Sequence, residues 1–116
     1  MDRELAAAVI GAFRATDARL QRQTLLAFAP HRWKRNFHWL DASGLALYFL
    51  QRLRELEIED AIPEPVLFGL VRRQADNEQR TASLIDEFVR LNAALTSAHV
   101  QYVNLKGFTA VPDYCP

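Results

Sequence analysis

The stretch whose residue types and spacing best fit chemistry is "NLKGF", Asn104 to Phe108. Lysine supplies a full positive charge, and the glycine beside it lets the backbone come close to an anion. Upstream, "VQYVNL" (Val100 to Leu105) holds β-branched and aromatic residues that favour a strand. Downstream, "FTAV" reads as the first turn of a helix that Pro112 interrupts. A strand, Lys106-Gly107 and a helix start together make a turn that can hold a phosphate, because the first N–H groups of a helix are unpaired and partly positive. The same residues also fit an ordinary strand exit with an exposed lysine, and pattern alone leaves both readings open.

Other clusters point less far. "HRWKRNFHW", His31 to Trp39, mixes basic and aromatic residues as single-strand nucleic-acid binders do. Its periodicity favours an amphipathic helix instead, with Trp33 and Phe37 inside and Arg32, Lys34 and Arg35 in water. His31 and His38 are not spaced i, i+4, and no cysteine or carboxylate cluster joins them, which argues against zinc. Arg72, Arg73 and Arg80 read as a solvated helix face paired with acids such as Asp76 and Glu78. Asp86 and Glu87 are adjacent, so on a helix they point apart and do not converge for acid–base work. No Walker loop, nucleophile elbow or dinucleotide fingerprint is present.

The elements that must position Lys106 and Gly107 are helical. A first helix is expected from about Asp2 to Ala15, capped by Asp2, with Leu5, Val9 and Phe13 on its buried face. A second is expected over about Ala18 to Phe28, ending before Pro30. A third covers about Arg32 to Ala42, stopped at Ser43-Gly44, and a fourth about Leu45 to Leu56, with Leu45, Tyr48, Phe49, Leu53 and Leu56 inward. "EIEDAIPEP" is a loop, and Pro65 suits the first turn of the next helix. From Val66 to about Ala98 the pattern predicts one long helix or two nearly collinear ones. Its stripe runs from Leu67 and Leu70 through polar Gln74, Asn77 and Thr81 to Leu84, Phe88, Leu91 and Leu95.

Composition bounds the function classes. A chain of 116 residues, half of them hydrophobic, is one domain or part of one. Basic and acidic residues number 14 each, and this balance argues against a nucleic-acid or membrane-surface partner. The N-terminal apolar run is short and preceded by Asp2 and Glu4, unlike a secretory leader, and no run suffices to span a bilayer. Cys115 is the only cysteine, so no internal disulfide can form and a cytoplasmic setting is expected.

The order of these features resembles a poorly characterised bacterial nucleotidyltransferase family within the polymerase-β-like superfamily. That family has a helical region, an "IP" loop, a long helix with an Asn and a small-residue turn. A strand ending in "LKG" and a helix with an aromatic near a Pro follow. Here "HWLDASGLALYFLQRL" leads to Ile62-Pro63, then to Asn77 and Arg80 in "NEQR". "LIDEFVRLNAALTSAHVQYVNLKG" and "DYCP" come next, so the resemblance spans about Phe37 to the end. It implies transfer of a nucleotidyl group from a nucleoside triphosphate to an unknown acceptor. Gly107 would be the close-approach glycine, Lys106 the nearby cation, and the amides of Gly107 and Phe108 the anion donors. It also implies Mg2+ for the full-length enzyme, held by an acidic Asp-x-Asp-like pair on the next strand. No such pair follows Lys106-Gly107; Asp113 stands alone among prolines, so no metal ligand is assigned within the chain.

The resulting expectation is a mainly α fold: a helical bundle leading into one β-strand and the start of a helix, an incomplete α+β nucleotidyltransferase-like domain. Residues 1–98 would be the helical region and 99–116 the first strand–turn–helix element, truncated before the acidic motif. As an isolated chain it would be an inactive fragment, with catalytic residues unassigned. The alternative is a small helical protein–protein interaction module without nucleotide chemistry, docking through the long helix.

Overall fold

The computed structural model describes residues 1–104, which form five α-helices and one 3₁₀ turn. Helix α1 (Arg3–Ala12) starts at Asp2, whose carboxylate accepts the Leu5 N–H at 3.1 Å. Asp17 caps α2 (Ala18–Leu26) in the same way through the Leu20 N–H. Each aspartate satisfies one of the donors a helix start leaves unpaired. Helix α3 (Pro30–Ala42) begins two residues earlier than its hydrophobic pattern suggests, because Pro30 is pre-set for the first helical position. Next come α4 (Ala46–Glu55), a 3₁₀ turn (Glu59–Ala61) inside the expected loop, and α5 (Glu64–Ser97). At the end of α1, the N–H groups of Phe13, Arg14 and Ala15 bond three residues back. The expected extension to Ala15 is therefore a tightened last turn.

Three helices stop at a residue in the left-handed region: Gly44 (φ 74°), Glu57 (φ 56°) and His99 (φ 58°). After α4, the Glu57 N–H bonds the Arg54 carbonyl and the Ile58 N–H bonds the Leu53 carbonyl. After α5, His99 and Val100 bond Thr96 and Leu95 in the same pattern. Both are Schellman closures built on a non-glycine residue, and buried Ile58 and Leu53 add the apolar contact typical of the motif.

Through Gln74 the chain makes a first compact unit with a closed apolar core. Leu5, Val9 and Ala12 of α1 join Leu25 of α2, Trp33 and Leu40 of α3, and Phe49, Leu50 and Leu53 of α4. Ile58, Ile62, Val66 and Leu70 complete it. The Trp33 and Phe49 rings stack, with centroids 6.1 Å apart. Arg52 ties α4 to the end of α1, donating to the carbonyls of Ala12 (3.0 Å) and Ala15 (2.8 Å). Two residues expected on the inward faces, Phe13 and Tyr48, are exposed, while Ala12 and Leu50 are buried. Helices turn 100° per residue, so the core-facing stripe lies one position back at Ala12 and reaches Leu50 beside Phe49 rather than Tyr48.

A second unit begins at Ala75 and contains the rest of α5. The expected strand at Val100–Leu105 is not formed: Val100–Asn104 is irregular, and there is no β-strand among the described residues. A helical bundle leading into a β-strand is thus corrected to an all-helical fold over residues 1–104. Val100, Tyr102 and Val103 have strand propensity, but a strand exists only when a neighbouring backbone completes its ladder. Instead, the Tyr102 hydroxyl donates to the Asn92 carbonyl at 3.3 Å and lies 3.3 Å from Thr96 Oγ1. Leu105 and the helix start expected after Gly107 lie outside the described residues.

Candidate functional site

Lys106, Gly107 and Phe108 lie outside the described residues, which end at Asn104. The residues just before them fold back onto α5. His99 in its left-handed conformation closes α5, and Tyr102 folds back onto Asn92 and Thr96. Asn92 is itself held by Nδ2 donating to the Phe88 carbonyl at 2.7 Å. A bulky tyrosine thus anchors the residues just before Asn104, while Val103 stays 83% exposed.

The other motif residues upstream divide into structural and exposed groups. Ile62 is buried, and the Pro63 carbonyl accepts the N–H groups of Val66 and Leu67 at 2.9 and 3.0 Å. The Ile62-Pro63 pair therefore starts α5 and seats it in the core. In "LDASGLALYFLQRL" the buried residues are Leu40, Ala46, Phe49, Leu50 and Leu53, again a packing role. Asn77 is half-buried and Arg80 exposed on α5.

The basic-aromatic stretch offers no stacking platform built from Trp33, since that ring is 2% exposed. Arg32 makes a fork to the Asp2 carboxylate, reaches Glu4 at 2.8 Å and lies 4.8 Å over the Phe28 ring. Asp2 also donates its backbone N–H to Asn36 Oδ1 at 2.6 Å. The hydrogen bonds from Arg32 and then from the Leu5 N–H hold the Asp2 carboxyl at about 2, below its ordinary 3.8. Asp2 and then Glu4 raise Arg32 above its ordinary value in return. Asp60 is lowered and Arg22 raised by their mutual hydrogen bonds. These ion pairs fasten loops and helix ends; an open cleft of about 500 Å³ lies beside the first, lined by Met1, Asp2, Arg32, Arg35 and Asn36, and in it Asp2 and Arg32 are already paired with each other.

Arg73 pairs with Asp41, and Asp86 with Arg90 one turn along α5, so neither set converges on a reacting atom. Among the described residues no group of three His, Cys, Asp or Glu is placed to hold a metal ion. Nor, among them, is any helix long and apolar enough to cross a membrane.

Two features are not among those expected from the sequence. The Asp2–Arg32–Asn36 network joins residues 30 and 34 positions apart. Gly69 sits mid-helix where a Cβ would come within 3.0 Å of Phe37 Cζ. A glycine inside an apolar-periodic helix is the one hint the sequence offered of close approach.

A family model described as an uncharacterised nucleotidyltransferase matches residues 29–116, more than half of the chain. The match takes in α3, α4, α5 and the whole "NLKGF" stretch, and starts upstream of Phe37. No curated protein matches the chain. No solved structure matches it.

Proposed function

The chain belongs to the uncharacterised nucleotidyltransferase family, and from that premise we propose that it contributes the triphosphate-binding element of a nucleotidyl transfer, centred on Lys106, Gly107 and Phe108. The observation that carries this reading is the family match running through Lys106 and Gly107. The amides of Gly107 and Phe108 donate to the phosphate oxygens, and the Lys106 ammonium offsets their charge. Gly107 has no Cβ, so the backbone can reach the anion. In the reaction, an acceptor hydroxyl oxygen bonds to the α-phosphorus as the bond from that phosphorus to the bridging oxygen breaks. Pyrophosphate leaves with the electron pair, and the hydroxyl proton passes to water.

Placement within the polymerase-β-like superfamily belongs to this proposal. Magnesium, which that placement implies, would supply charge stabilisation at the transferring phosphoryl group. The described residues do not fit it: among them no group of His, Cys, Asp or Glu converges to hold an ion.

The test is calorimetric titration of a nucleoside triphosphate into the intact protein. Lys106→Ala and Gly107→Val should each weaken binding at least about tenfold, as expected for losing a hydrogen bond to a charged group. Unchanged affinity in both variants, with helical content retained, overturns the assignment.

A second reading has one observation in its favour. The part of α5 in the second unit exposes Leu84, Ile85, Val89 and Leu91, an apolar surface of the kind that docks a partner helix. An interaction module would bind no triphosphate at all, which the same titration reads directly.

A further inference from the structure

We propose that a groove within the first unit, between the starts of α3 and α5, binds a small amphiphilic carboxylate: one aromatic or branched apolar body carrying one anionic group. This proposal is independent of the nucleotide reading.

The groove encloses about 590 Å³, inside the range of roughly 300–1,000 Å³ typical of small-ligand sites. Pro30, Pro63 and Pro65 form its walls, and Phe37 and Val66 add apolar surface. Three prolines have fixed φ, so the walls are largely formed before a ligand arrives and little ordering is needed on binding. Gly69 also lines the groove and decides where the Phe37 ring lies. A Cβ at that position would sit 3.0 Å from Phe37 Cζ and 3.3 Å from Cε2, so any other residue pushes the ring aside. A mid-helix glycine costs about 1 kcal/mol relative to alanine, and the ring's seat is what the position gains.

The polar side of the groove is cationic. His31 and Lys34, one turn apart on α3, are its exposed polar lining residues. Other basic side chains nearby are already engaged: Arg32 by Asp2 and Glu4, Arg73 by Asp41. Among the described residues Lys34 makes no ion pair. The first turn of α3 carries no acidic residue of its own beside His31 and Lys34. Glu64 is exposed between Pro63 and Pro65 but does not line the groove. An apolar trough of this size with one positive edge complements a ring or short branched chain ending in a carboxylate. A neutral apolar molecule would leave the cationic edge unmatched, and an amine would be repelled.

The experiment uses 4-phenylbutyrate and 4-phenylbutanamide, which share an apolar body and differ in charge. Each is titrated into the intact protein and followed by amide chemical shifts. The carboxylate should bind saturably with its largest shifts at His31, Lys34, Val66 and Gly69, and the amide more weakly. Lys34→Gln should weaken the carboxylate about threefold and Lys34→Glu about tenfold, with the amide unaffected, as expected for an exposed ion pair. Gly69→Ala should weaken both compounds. Because Lys34 is exposed, its variants should fold as the parent does. Equal affinities for the two compounds, insensitivity of the carboxylate to Lys34→Glu, or shifts centred elsewhere each overturn the proposal.

Discussion

Leu70 and Leu91 are the same residue type on the same helix, three heptads apart on one apolar stripe, yet Leu70 is fully buried and Leu91 is 59% exposed. Leu70 belongs to the first unit, where α1 to α4 and the 3₁₀ turn supply a core. Leu91 belongs to the second, in which α5 has no buried residue: Val66 and Leu70 are the two it buries, both before Gln74. Periodicity reports which face of a helix is apolar. It does not report whether another element covers that face.

The contrast is broken most forcefully by truncating the two leucines. Leu70→Ala should destabilise the protein by about 2–5 kcal/mol, the range for a cavity in a packed core. Leu91→Ala should stay within about 0.5 kcal/mol. Urea unfolding followed by circular dichroism checks both, and equal losses would erase the distinction between the units.

Arg52→Ala comes next, with an expected loss of about 2 kcal/mol, because a charged donor leaves the Ala12 and Ala15 carbonyls without their partner. A matching truncation of Arg90, paired with Asp86 on the exposed helix, should be almost silent.

Acid sharpens the contrast further. Asp2 titrates at about 2 when folded against an ordinary 3.8, so its stabilising contribution is complete above pH 3.8 and is lost as pH falls toward about 2. Thermal melts of the parent should therefore fall more steeply across that window than those of Asp2→Asn, which keeps a capping oxygen but cannot titrate. Parallel slopes would remove Asp2 from the acid response.

A small effect of the opposite sign is expected at Glu57. Glu57 holds a left-handed φ that side chains resist by about 1–2 kcal/mol. After the extra chain entropy of glycine is subtracted, Glu57→Gly should stabilise the protein by about 0.5 kcal/mol. A denaturation midpoint that falls instead would show that the Glu57 side chain contributes more than its backbone strain costs.

Much of the helical frame was legible in the sequence because its signals are local. Asp2, the pair Ser43-Gly44 and Pro65 mark helix ends, and the observed helices begin and stop within a few residues of them. The short turn over Glu59–Ala61 and the Schellman closure at Glu57 were not legible, since no glycine announces them. The strand expected over Val100–Leu105 failed for a different reason: propensity describes one segment, and a strand needs a second. The proposed site residues Lys106, Gly107 and Phe108 rest on the motif order and lie outside the described residues. Tyr102's hold on Asn92, which fixes the approach to them, depends on tertiary contacts alone.

Amide chemical-shift mapping with a nucleoside triphosphate tests the functional account most directly. The largest perturbations are expected at the Gly107 and Phe108 amides, with those of Phe49 and Leu53 in the first unit's core unmoved. Perturbations centred between Met1 and Gln74, with Gly107 and Phe108 silent, would contradict it.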